Sequence, residues 1–126
     1  MNLDGSEVVH FLNGPETVRD GTLVSISIQD IDETPIIELV FKRRFDPCPR
    51  VKLELGGVKE FDYRYTADNR PFGIEFVKCL MTEDGDFYIS LDPYDEHEAF
   101  ISEKDNDFFR SKFVRLVIGD FPRAKS

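Results

Sequence analysis

The chain is predicted to be mainly β: an antiparallel sheet rolled into a sandwich or open barrel, with a short N-terminal helix. The alternative is an α+β arrangement in which that helix covers one sheet face. Three observations predict this. Val51, Leu53 and Leu55 alternate with Lys52 and Glu54, the period of two that marks a half-buried strand. Asp84-Gly85 lies between two apolar runs, a strong short-range hairpin signal. Turn residues punctuate the chain at hairpin-length intervals, which favours neighbouring antiparallel strands.

Ser6 to Leu12 reads as a short helix. Ser6 supplies a cap, Val8, Val9 and Leu12 supply an apolar side, and Asn13-Gly14-Pro15 stops it. Thr22 to Gln29 reads as a strand, with Val24, Ile26 and Ile28 on one face and Ser25 and Ser27 on the other. Asp30 to Pro35 is the turn. Ile36 to Arg43 returns with Ile37, Leu39 and Phe41 inward. The two prolines of Phe45-Asp-Pro-Cys-Pro49 impose a loop.

Arg50 to Leu55 continues the sheet. Gly56-Gly57 breaks its register, as a bulge or a strand-to-strand corner would. Beyond it, Phe61, Tyr63 and Tyr65 alternate with Glu60, Asp62 and Arg64, and Ala67 to Pro71 is a turn. Phe72 to Met81 is apolar on both faces, through Ile74, Phe76 and Leu80 on one and Val77, Cys79 and Met81 on the other. That pattern predicts a central strand covered on both sides. Phe87 to Leu91 is its hairpin partner. Asp92 to Glu96 is a turn, and His97 to Ser102 a further strand around Phe100. Asp105 is expected to cap a helical turn through Phe108 and Phe109. Lys112 to Ile118 is the last strand, with Val114, Leu116 and Ile118 on one face. Gly119 ends it, and Pro122 to Ser126 is a polar tail. No repeat or linker divides residues 1–126, so one domain is expected.

The formal net charge is −9, and one segment carries it. From Glu83 to Asp107 there are ten acids and one base, Lys104, while the remainder balances fifteen acids with fifteen bases. Acidity of this kind opposes binding to nucleic acid or anionic membrane, whose phosphates select Lys and Arg. It suits a basic protein partner or, at its simplest, a solvated face. The basic cluster Lys42-Arg43-Arg44 with Arg50 and Lys52 has only Phe45 as an interleaved aromatic, too little for a nucleic-acid surface. Contact with the acidic segment of a second copy is the competing use. The N-terminus has no basic and apolar leader, and no apolar run has membrane-spanning length. A cytoplasmic protein is expected, with Cys48 and Cys79 reduced.

No constellation points to catalysis, and no metal or cofactor is expected. Cys48 and Cys79 have no zinc-ligand spacing. His97 stands between Glu96 and Glu98, but strand neighbours point to opposite faces. Asp84-Gly85-Asp86 lacks the acid ladder and closing Glu of a calcium loop. No serine stands in a nucleophile-elbow context, Cys79 has no sequence-visible base and reads as a small core residue, and His10 sits in the short helix.

Five stretches together carry a resemblance: Thr17 to Ile28, Val51 to Phe61, Ile74-Glu-Phe76, Asp86 to Leu91 and Phe113 to Val117. In this pattern the chain resembles a group of small bacterial immunity proteins of polymorphic toxin systems. In such families a His-Asp pair often opens the first strand and a Gly-Val step follows a later one. Gly57-Val58 matches. Arg19-Asp20 stands where His-Asp would be, so no role of that histidine transfers. The resemblance implies a non-catalytic protein that binds and neutralises a cognate toxin, and acidity is common where that toxin is a basic nuclease. The expected contact surface is then Asp84, Asp86, Asp92, Asp95, Glu96 and Glu98, with Tyr88 and Tyr94 as anchors. The alternative is a small β domain with a structural, homo-oligomeric or ligand-binding role.

Overall fold

The computed structural model describes residues 2–14, 18, 20–43, 50–64 and 73–119. Its elements in chain order are β1 (Asn2–Asp4), α1 (Ser6–Leu12), β2 (Thr22–Ile31), β3 (Thr34–Lys42), β4 (Arg50–Asp62), β5 (Lys78–Met81), β6 (Phe87–Asp92) and β7 (Asn106–Gly119). The fold is mainly β: among the described residues 60% are in strands and there is one short helix. All strands join one seven-stranded antiparallel sheet in the order β2-β3-β4-β7-β6-β5, with β1 paired to β7. The sheet is open and does not close into a barrel.

Its middle follows from the alternation. Val51, Leu53 and Leu55 lie opposite Phe41, Leu39 and Ile37 on one side and Ile118, Leu116 and Val114 on the other. Cross-strand partners share a face, so these rows form one continuous apolar surface, buried with Val8 and Leu12 of α1. The long β7 carries two strands along its other edge, β6 on residues 106–111 and β1 on residues 115–117. Three-residue β1 has no period to read, and the sequence gives no sign of it.

The two ends of the sheet meet. Asp20 N–H donates to the carbonyl of Ile74 at 2.6 Å and Ile74 N–H to that of Gly21 at 3.0 Å, and Thr22 bridges Gly73. The stretch before β5 therefore runs beside the start of β2, and the sheet curls so that its edges touch at one end. Ile74 and Val77 are buried there.

Several expectations change. Of the described residues 73–81, only Lys78–Met81 form a strand, and it is a sheet edge rather than the centre; Phe72 lies outside the described residues. Its second face is apolar because α1 covers it, with Asn13 Nδ2 donating to the Cys79 carbonyl at 3.2 Å. The helix has the predicted bounds, but Gly5 is its N-cap and no side chain caps it. Gly57 takes φ 61 without breaking the ladder, and the bulge falls between Val58 and Glu60. In β2 a bulge between Leu23 and Ser25 turns Leu23 inward and leaves Val24 exposed. Residues 97–102 form no strand. Asp105 caps no helix, because Phe108 and Phe109 belong to β7, which begins at Asn106. Cys79 is a buried free thiol; Cys48, Arg44, Phe45 and the Thr17 and Arg19 positions lie outside the described residues.

The turn between β2 and β3 is only Asp32-Glu33, since Ile31 pairs with Thr34. Both turn residues have positive φ, 51 and 63, as a type I′ hairpin requires. A glutamate is strained there, because its Cβ opposes the left-handed region. Glu33→Gly is expected to stabilise the protein by about 0.5–1 kcal/mol in urea denaturation.

Candidate functional site

The acidic segment divides into an inward and an outward half. It begins at the β5–β6 turn, where Thr82 N–H donates to the Asp86 carbonyl at 2.8 Å and Gly85 takes φ 84. Asp86 follows, and its carboxylate is buried. Lys59 Nζ, Arg110 Nε and Arg110 Nη2 all reach Oδ2, at 2.9, 3.0 and 3.0 Å. The hydrogen bond from Lys59, joined by that from Arg110 and opposed by burial, holds this carboxyl below the usual carboxylate value. Asp84 stays in solvent, 3.7 Å from Arg110.

Residues 93–105, between β6 and β7, fold over Lys78. In antiparallel register Lys78 lies opposite Ser90, which lies opposite Phe108, so Lys78 projects on the same face as Ser90. Its side chain is 1% exposed. Nζ donates to Asp105 Oδ2 at 2.8 Å and Glu98 Oε1 at 3.1 Å. Asp105 also accepts the Tyr88 hydroxyl at 2.7 Å and the backbone N–H groups of Tyr94 and Ser102 at 3.0 and 3.1 Å. Burial raises the Asp105 carboxyl, but the bonds from Lys78, Tyr88, Tyr94 and Ser102 outweigh it and hold the group below its ordinary value. Burial, then the hydrogen bond to Asp105 and its charge, push the Tyr88 hydroxyl up, so it stays a donor. Glu96 Oε2 accepts the Val77 N–H at 3.4 Å. One buried carboxylate thus ties the loop to itself, to β5 and to β6.

The expected partner surface is redistributed by this geometry. Tyr88 is 1% exposed and is an internal donor, not an anchor. Asp86 is enclosed by two cations. Glu96 and Glu98 face inward, their side chains 16% and 17% exposed. Asp84, Asp92, Tyr94 and Asp95 remain at the surface. Phe100, expected inside a strand, is instead exposed. Lys78, Asp105 and Phe100 are the site residues that sequence reasoning missed. A signal for the first existed: a lysine inside the apolar run Phe76-Val-Lys-Cys-Leu-Met81 requires a carboxylate.

A cleft of about 510 Å³ opens where the sheet edges meet, lined by Asp20, Arg64, Phe76, Asp92 and Asp107 above Ile74 and Leu91. Asp107 Oδ1 accepts the Arg64 N–H at 3.0 Å. Burial, then the nearby Asp92 and Asp62 charges, raise its carboxyl above the usual value. A carboxyl raised in the folded state destabilises the fold when ionised, and the penalty disappears as pH falls through its folded pKa. Asp107→Asn keeps the acceptor and suits φ 48. It is expected to raise the denaturation midpoint at pH 7, with the gain shrinking as pH is lowered towards the carboxyl range.

Nothing among the described residues gathers three or more His, Cys, Asp or Glu in an arrangement able to hold a metal ion. Burial pushes the Cys79 thiol up and keeps it protonated. His97 is 87% exposed, with Nε2 3.9 Å from Glu96. No described helix is long and apolar enough to cross a membrane. No family model, curated protein or solved structure matches the chain.

Proposed function

We propose that this protein is a non-catalytic, cytoplasmic binding protein of the immunity type, which occludes a basic protein toxin with the outward half of its 93–105 loop. The observation that carries the reading is a rigidly tied loop that shows aromatic rings among acids. Tyr94 and Phe100 are 62% and 60% exposed, Lys104 Nζ lies 4.6 Å from the Tyr94 ring centroid, and Asp92, Asp95 and Glu103 of the same stretch of chain are exposed. Large rings left in solvent by a chain that buries Tyr88, Phe87 and Phe109 completely fit a contact surface. The Lys78–Asp105 pair fixes the loop beforehand, so little ordering entropy is lost on binding. The exposed acids attract a cationic partner and repel acidic ones.

Expression of the product of the adjacent gene, alone and together with this protein, tests the reading. Growth arrest by the neighbour alone and relief on co-expression are expected. A harmless neighbour, or arrest that co-expression does not relieve, contradicts it.

A further inference from the structure

The β2–β3 hairpin extends past the rest of the sheet. The β3–β4 ladder begins at Ile37, whereas β2 and β3 stay paired out to Ile31 and Thr34. Residues 29–36 therefore form a two-stranded arm, a structure of marginal stability by itself. Among the described residues β2 is the sheet's edge, and its outer side is bridged only at Thr22. The usual protections of an edge are weak here. The ten residues Thr22–Ile31 contain no Lys, Arg or Pro and a single charge, Asp30. Ile28 and Ile31 are 53% and 49% exposed. Ile26 and Ile28 lie opposite the core residues Leu39 and Ile37, so they continue the core face to a point where nothing described covers it.

We propose that two copies of this chain pair antiparallel through β2, about a twofold axis at Ser27, to make one continuous sheet. The backbone sets the register. Ile31 and Thr34 flank a two-residue turn and so exchange hydrogen bonds, and alternation from there turns the peptide groups of Ile26, Ile28 and Asp30 outward. About Ser27, Ile26 meets Ile28 of the second copy and Ile28 meets its Ile26, so outward donors and acceptors face one another. The side chains agree, with isoleucine against isoleucine and Ser25 against Gln29. Asp30 falls opposite Val24, so the charges do not meet. A second copy satisfies this edge better than an unrelated strand because the sequence complements itself about Ser27. The pairing uses the β2 edge and no residue of the 93–105 loop, so this inference stands independently of the proposed function.

Sedimentation velocity on the full chain between about 1 µM and about 1 mM is the first test. A concentration-dependent monomer–dimer equilibrium is expected for the wild type, and Ile28→Lys should remain monomeric with an unchanged circular dichroism spectrum. Oxidative cross-linking fixes the register. Ser27 would face its own copy in a non-hydrogen-bonded pair with Cα atoms about 4.5 Å apart, within disulfide reach. Ser27→Cys should therefore cross-link well above the wild-type background and Ser25→Cys should not. A wild type that stays monomeric throughout, an Ile28→Lys variant that dimerises like wild type, or equal cross-linking from both cysteine positions would overturn the proposal.

Discussion

Lys78→Ala is expected to cost about 3–5 kcal/mol in denaturant unfolding, the usual loss when one partner of a buried ion pair is removed. Such a loss is a large part of the roughly 5–15 kcal/mol that holds a domain together. The reason lies in Asp105, whose side chain is fully buried. Without the ammonium, its charge has only the Tyr88 hydroxyl and two backbone donors. Lys78→Met should cost nearly as much, because lost charge and not lost volume is at issue. In a double-mutant cycle Lys78→Met and Asp105→Asn should be strongly non-additive, since each leaves the same partner stranded. The pH dependence has a definite sign. The Asp105 carboxyl is depressed in the fold, so its contribution is complete above the unfolded carboxyl value and disappears as pH falls through the lower, folded one. The wild type should lose stability below about pH 4, and Asp105→Asn should flatten that acid limb. Additive single effects would show that the pair is not coupled.

Gly21→Ala is expected to destabilise by about 3 kcal/mol, at the upper end of what overpacking costs. An added Cβ would stand 2.5 Å from the Lys42 carbonyl oxygen and 2.9 Å from that of Val18. Both are backbone atoms and cannot rotate aside. Gly21 also accepts the Ile74 N–H, so its displacement would pull apart the point where the sheet edges meet. Gly119→Ala is the control: nothing lies within 4 Å of its added Cβ, and a change near zero is expected. Equal effects at the two positions would contradict the close packing of Gly21 against the Lys42 and Val18 carbonyls.

The strand pattern was legible wherever burial is one-sided. Ile37, Leu39 and Phe41, Val51, Leu53 and Leu55, and the helix bounds Ser6–Leu12 all read correctly because neighbouring residues face opposite environments. The reading failed where tertiary partners replaced periodicity. Phe72 to Met81 resembled a central strand because α1 and residues 93–105 cover β5 from its two sides, a cover made by distant chain. Asp105 stood where a helix cap would, but its four partners come from positions 78, 88, 94 and 102, and no local rule connects them. The acidic segment misled for a related reason. Charge alone does not separate acids that hold a buried lysine from acids in water. A set of reversals containing Glu96 and Glu98 would therefore remove the acceptor of the Val77 N–H and place a new cation against Lys78, damaging the fold, which makes it unsuitable as a test of binding.

Outward acids alone provide that test. Asp92, Asp95 and Glu103, each reversed to Lys, change the charge of the stretch that carries Tyr94 and Phe100 while leaving Glu98 and Asp105, the partners of Lys78, in place. With the neighbouring gene's product as the cationic partner, association rates are measured by stopped flow across a range of ionic strength, for wild type and this triple variant. The loop account predicts a wild-type rate that falls steeply as salt rises, as steered encounters do, and a much slower, nearly salt-independent rate for a variant that keeps the wild-type circular dichroism spectrum and a cooperative unfolding transition. A wild-type rate indifferent to salt, or a triple variant that associates as fast as wild type, would contradict it.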